Sequence, residues 1–379
     1  MIIRHVRPMG GAPSDILVED GRIASITPSA AKGPSLLALP GLVEGHCHLD
    51  KTLWGRPWYR NEVGPERMDR INNEKASRAR LGMDAVREGR SLCLAHLRAG
   101  TTRLRSHVDV DEESRLRHVE ALLGLREELR GRMEIQLVAF PQSGILATPG
   151  CAEWLEEALR LGCDVVGGMD PSLVDRDPVR HLDVVFALAD RHAKPVDIHL
   201  HEPGELGGFA LELIAERTCA LGLRNRVVVS HGFALGDLAG LRADRLYAML
   251  AEAGVALCSM ASLSRPVPSV PRARELGVTL FAGNDNIRDT WSPYNAPDML
   301  ERASLVGLKH ELRRDEEVGW ALETVTTLGA QGCGFEEYGL VPGARADVVL
   351  LDAETPAEAV AAHKPPVRVI SYGKEITLT

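Results

Sequence analysis

His46 and His48 stand two residues apart at the end of an apolar run, in the stretch LVEGHCH. On a strand, residues i and i+2 share a face, so both imidazoles point the same way and can chelate one divalent cation. Alone, the pair is a weak signal and reads more readily as two packed or surface histidines. IHLHEPGE at 198–205 offers His199 as a third imidazole. His201 shares its parity and could be a ligand, a donor behind a ligand, or a plain rim residue. Glu202 follows where strand gives way to loop. A carboxylate beside a metal-held water is suited to moving protons, although by themselves Glu202 and Glu205 are ordinary loop acids. His231, in SHG, could orient a hydroxide or stabilise developing negative charge, or be a satisfied core histidine. Asp285, in GNDN, could ligate the cation and take a proton from water, or merely cap a helix. His46, His48, His199 and Asp285 together suit one hard-to-borderline cation with room for water. Such a cation brings the pKa of bound water toward neutrality and makes a hydrolytic nucleophile.

These residues need a scaffold that brings distant strand ends together. Eight short apolar runs recur along the chain: Ala38–His48, Thr101–Asp109, Glu134–Phe140, Asp164–Asp170, Pro195–His201, Arg226–His231, Val255–Met260 and Val278–Asp285. They are rich in Val, Ile and Leu with little alternation, as strands buried on both faces are. Helical patterns lie between them, over Glu112–Arg130, Ala152–Leu161, Leu182–His192, Ala210–Leu221, Arg242–Ala253 and Ser269–Leu276, and Gly162, Gly222, Gly254 and Gly277 stand where helices should stop. Strand–helix alternation with eight strands predicts an α/β fold, a (β/α)8 TIM barrel, and the polar residues gather at the C-terminal tips where barrel active sites lie. Both ends differ. SDILVEDGRIASITP alternates around an Asp20–Gly21 turn, and VRVISYGKEITLT repeats the style. We therefore expect a small β-sandwich domain from 1–40 plus 339–379, beside a barrel over 41–338. The stretch from Lys51 to about Ala95 is a long connection at the catalytic rim, a candidate lid. Its charged helix reads as a solvated surface, as do Arg78 and Arg80.

Composition excludes several classes. Formal net charge is −9, and no stretch concentrates Lys and Arg, so no nucleic-acid groove is expected. No apolar run is long enough to span a bilayer, and the N-terminus lacks a signal-peptide pattern. Seven cysteines with no CxxC pair argue against a disulfide framework and a thiolate zinc site, and for a reducing cytoplasm.

The chain resembles the amidohydrolase superfamily, and within it the cytosine deaminase-like group. The resemblance rests on LPGLVEGHCHLDKT (39–52), LRSHVDVD (104–111), IQLVAFPQSGIL (135–146), VDIHLHEPGELGGF (196–209), VVVSHGFALG (227–236) and GNDNIRDTWSPY (283–294). It implies His46, His48, His199 and Asp285 as ligands of one catalytic metal ion per subunit, zinc or iron(II). It implies Glu202 as the proton shuttle, His231 as the partner of the attacking hydroxide, and Gln142 as the reader of the amide edge of a pyrimidine-like ring. The implied reaction is hydrolytic deamination of a cytosine-like or other nitrogen heterocycle by metal-bound hydroxide, with release of ammonia. Asn286 stands where cytosine deaminases carry a second acid. An amide donates as well as accepts, which puts cytosine itself in doubt. Lys51 also departs from that group. Lys51 and Arg288 could hold an anionic or oxo-rich ring such as a triazine, or make structural salt bridges. Trp291 completes the candidate substrate contacts with Gln142, Asn286 and Lys51.

The alternatives are a cyclic amide hydrolase or a triazine alkylamine hydrolase with the same metal site, or a non-catalytic ligand-binding barrel. The expected partner is a small heterocycle, with a homo-oligomer as an open option.

Overall fold

The structure is a computed structural model that describes residues 1–64 and 67–377. The chain opens with four strands, β1 (Ile2–Pro8), β2 (Ser14–Glu19), β3 (Arg22–Pro28) and β4 (Leu36–Pro40). One residue later it enters β5 (Leu42–Cys47), the first strand of a second sheet. The apolar run that reads as one strand from Ala38 is thus divided at Gly41. A Cβ there would lie 2.2 Å from the Thr102 hydroxyl oxygen, so only glycine lets the chain pass from one sheet to the other.

The second sheet continues through β6 (Thr101–Asp109), β7 (Glu134–Phe140), β8 (Val165–Met169), β9 (Val196–Leu200), β10 (Val227–His231), β11 (Val255–Ser259) and β12 (Leu280–Ala282), in unbroken sequence order. Every pairing in it is parallel. Asp285 N donates to His46 O at 2.7 Å, and Cys47 and Asp285 form a parallel bridge, so the last strand meets the first and the barrel closes. Gly283 makes that approach possible, because a Cβ on it would sit 2.6 Å from the His46 backbone N. Strands β8 to β11 are buried throughout, which explains the unbroken apolar runs in the sequence.

Near the end, β13 (Val348–Leu351), β14 (Arg368–Ser371) and β15 (Lys374–Ile376) join β4, giving a sheet of order β15-β14-β13-β4-β1-β2-β3. It is antiparallel apart from the β1–β4 pair. Ala346 N donates to Gly21 O and Ile23 N to Ala344 O, so the sheet rolls over on itself around Ile3, Ile16, Ile23, Val348 and Ile370. The expected sandwich is this rolled sheet. We propose the two sheets as the cores of two domains, divided on the N-terminal side at Gly41.

Between the first two barrel strands lie two helices, Arg67–Leu81 and Ala85–Arg98, where one had been expected. Residues 65–66 of that stretch lie outside the described residues. The first helix is not a solvated surface: Glu74 and Ser77 are fully buried. Arg78 is inserted among Glu74, Asp109 and Asp111, correcting the expectation of an exposed charge. Mixed charge along a helix does not distinguish a face turned to water from one turned to buried carboxylates. All seven cysteines are free. Among the described residues, no helix is long and apolar enough to cross a membrane.

Candidate metal centre and active site

The C-terminal ends of β5, β9, β10 and β12 converge. His46, His199, His231 and Asp285 place one ligand atom each within 4.8 Å of one another. His48 joins through Asp285, with Nε2 3.1 Å from Oδ1, and His46 Nε2 lies 3.6 Å from the same oxygen. His231 and Asp285 are both non-glycine residues in the left-handed region, with φ of 72° and 63°. That conformation costs energy and persists only where the surroundings over-determine it, as at a functional site.

The donor set fits a cation. His46 Nε2, both ring nitrogens of His199, and His231 Nε2 are buried with no hydrogen-bond partner among the described residues. Each such orphan costs about 1–3 kcal/mol, so three imidazoles with unpaired nitrogens around one carboxylate call for a cation. Protonation states agree. Burial, then neighbouring histidines, pushes His199 and His231 well below the usual imidazole range, and burial followed by Lys51 brings His48 to about 4. Neutral rings keep their lone pairs for a metal. Burial would raise the Asp285 carboxyl, but the close approach of the His46 and His48 rings overcomes it and holds it well below the carboxylate range.

A relay aims His46. Its Nδ1 lies 2.9 Å from Ser230 Oγ, which donates to Asp197 at 2.7 Å, and Arg105 donates to the other Asp197 oxygen at 2.9 Å. Sequence reasoning missed all three. Their one signal was parity, since Asp197 is two residues before His199 on a strand whose alternate residues face the interior. Ser230→Ala should leave the fold intact and weaken metal retention by about 10–100-fold, checked by competition with a chromogenic chelator.

Glu202 is fully buried. Its Oε1 accepts from the Ser172 and Leu173 N–H groups at 2.6 and 2.8 Å, and its Oε2 is buried without a hydrogen-bond partner among the described residues. Burial raises its pKa. His201 packs on His231 with ring centroids 3.9 Å apart, and its Nδ1 lies 2.9 Å from Asp170. His107, which the sequence places at a strand tip without a role, stands 3.9 Å from the His46 ring and 4.4 Å from that of His199.

A cavity of about 1070 Å³ opens over the cluster, and His48, His199, His231 and Asp285 line it. So do Lys51, Gln142, Asn286 and Trp291. Lys51 is buried beside Asp109 at 2.9 Å and donates to Gln142 Oε1. Arg288 does not reach the cavity: its guanidinium lies 5.6 Å from the rings of both Trp54 and Trp58. Asn286 donates to Asp289, whose oxygens also accept the Trp291 and Ser292 N–H groups.

Burial pushes Asp289 from 3.8 up to about 7, against those donors. Between these values the folded chain holds a proton that the unfolded chain has released. By linkage, stability falls as pH rises through this window, by a few kcal/mol in order of magnitude. Urea midpoints from pH 4 to 8 should show this fall in the wild type and a flatter profile in Asp289→Asn.

Residues 35–376 match the family model described as the amidohydrolase family. The chain belongs to that family. It is 30% identical over 354 residues to the N-isopropylammelide isopropyl amidohydrolase of Pseudomonas sp. (strain ADP), covering 90% of this chain and 86% of that protein. Among solved structures, N-isopropylammelide isopropylaminohydrolase from Burkholderia multivorans ATCC 17616 is 51% identical with a TM-score of 0.95, covering 99% of this chain and 97% of that one. The 5-methylcytosine deaminase of Klebsiella pneumoniae, liganded with 5-fluorocytosine, is 27% identical with a TM-score of 0.88, covering 100% and 97%. This amidohydrolase is thus a hydrolase of C–N bonds other than peptide bonds, from a metal-dependent family and with a histidine–aspartate cluster able to bind metal.

Proposed function

We propose that this amidohydrolase removes an amino or alkylamino group from a nitrogen heterocycle by hydrolysis. The observation that carries the reading is the orphaned imidazole cluster around Asp285, opening on a cavity with Gln142 and Lys51 in its wall. Two relatives, at 51% and 27% identity, are named for hydrolysis or deamination of amine-bearing heterocycles.

One divalent cation, zinc or iron(II), suits His46, His48, His199 and Asp285. When bound, it acidifies water and polarises the carbon under attack. Asp285, held ionised, takes a proton from the attacking water. The water oxygen bonds to the ring carbon that bears the amine. Glu202, protonated, gives its proton to the adjacent ring nitrogen. Asp285 then passes the water proton to the leaving amine, and the hydroxyl proton of the adduct returns to Glu202 as the carbonyl forms. His231 stabilises charge developing on the incoming oxygen. The C–N bond then breaks, and the ring carbon becomes a carbonyl. Gln142, Lys51, Asn286 and Trp291 hold the ring. Met169, Phe233 and Met260 give the cavity an apolar side, which suits an alkyl substituent on the amine.

The test is amine release by purified, metal-loaded protein from N-isopropylammelide, 5-methylcytosine and cytosine. Isopropylamine or ammonia with an intact ring is the expected product. Ring opening without amine would replace this reading with cyclic amide hydrolysis.

A further inference from the structure

Glu74 stands on the helix Arg67–Leu81, outside the barrel strands, yet its side chain is fully buried. Its Oε2 accepts from Gln142 Nε2 at 3.2 Å and from the Trp291 indole N–H, and lies 3.6 Å from Lys51 Nζ. Its Oε1 accepts from Arg78 at 2.6 Å. One carboxylate thus ties together three residues that line the cavity. Burial works against its charge, but Lys51 and Arg78 keep it ionised.

The chemistry of these partners fixes what they offer a ligand. A lysine only donates and a carboxylate only accepts. Gln142, held between them, must therefore turn its oxygen to Lys51 and its nitrogen to Glu74. Lys51 donates to Gln142 and is ion-paired with Asp109 at 2.9 Å, while Glu74, at 3.6 Å, lies beyond hydrogen-bond distance, so a proton remains for a ligand. Gln142 keeps its second Nε2 proton. Two donors side by side suit a ring oxygen. An amino group, itself a donor, finds no acceptor at Lys51.

We infer that Glu74 is a positioning residue that sets Lys51 and Gln142 as an edge reading ring oxygen and holds the Trp291 indole beside them, so that the heterocycle carries a carbonyl in addition to its amine-bearing carbon. The ring class rests on the proposed function; the role of Glu74 rests on its contacts.

The test is calorimetric binding of two probes to metal-loaded protein: 1,3,5-triazine-2,4,6-trione, which has only N–H and C=O edges, and 2,4,6-triaminotriazine. The wild type should prefer the trione by about tenfold or more, and Glu74→Gln should lose about tenfold on the trione with little change on the triamine. Trp291→Phe should lose less. In the E74Q/W291F double variant the second substitution should add little, because the indole has already lost its charged acceptor. The swap E74Q/Q142E keeps the charge count and the hydrogen-bonded pair but turns an acceptor toward the ligand, so the preference should reverse. This variant reads the inference if Glu74→Gln alone does not fold. Equal binding of both rings by the wild type, equal weakening of both in E74Q, additive effects, or an unreversed preference in the swap would each overturn it. No readout requires turnover, so failure to release amine would sink the proposed function while these titrations still decided the role of Glu74.

Discussion

Replacing His199 by alanine is expected to strip the protein of its metal and lower kcat/KM by about four orders of magnitude or more. The His199 ring is buried, stacked on Phe140 with centroids 4.1 Å apart, and neither nitrogen has a hydrogen-bond partner among the described residues. A ring so placed contributes nothing to hydrogen bonding within the fold. Its lone pair can serve a cation, and its removal takes away the group that makes water reactive. Metal content by plasma emission and kcat/KM should fall together. The thermal midpoint should respond as well. Metal bound only to the folded state stabilises it by mass action, so a chelator should lower the midpoint of the wild type and leave His199→Ala unmoved. A variant with full metal content and more than a tenth of normal activity would remove His199 from the centre.

Glu202→Gln is expected to behave oppositely toward metal. It should keep the wild-type metal content and thermal midpoint while kcat falls by about 10²–10⁴-fold. The two backbone N–H groups on Oε1 can be met by the amide oxygen of glutamine, so the position should stay ordered. The buried, partnerless Oε2 becomes an amide nitrogen that cannot exchange a proton. Burial raises the carboxyl pKa, bringing its protonated form closer to the working pH, where a group must both give and accept protons. Single-turnover amine release separates this loss from slow product departure. A Glu202→Gln enzyme with a near-normal rate would show that protons travel by another route.

The barrel was legible because strands buried on both faces are largely apolar, and β8 to β11, buried throughout, depart from this only at Asp197, His199, Ser230, His231 and Ser259. The convergence of His46, His199, His231 and Asp285 was legible for a related reason. Pleating sends alternate residues inward, and polar residues at strand tips have few other uses. Asp197 shared the parity of His199 but looked like ordinary core filling. Ser230, next to His231, was set beside it in the site by the left-handed backbone at His231, which alternation does not predict. Glu74 and Arg78 gave no signal, because a charged helix facing solvent and one facing buried counter-charges share a composition.

Sequence by itself determined the period of strands and helices, the inward parity of each side chain, and thus which imidazoles and carboxylates could meet a cation. Tertiary structure alone decided that β12 returns to β5, bringing Asp285 within 3.1 Å of His48. It also decided that a helix between the first two barrel strands delivers Glu74 to Lys51, Gln142 and Trp291. Parity and period are local consequences of backbone geometry. Contacts between residues as far as 217 apart in the sequence depend on closure and packing, which no local pattern encodes.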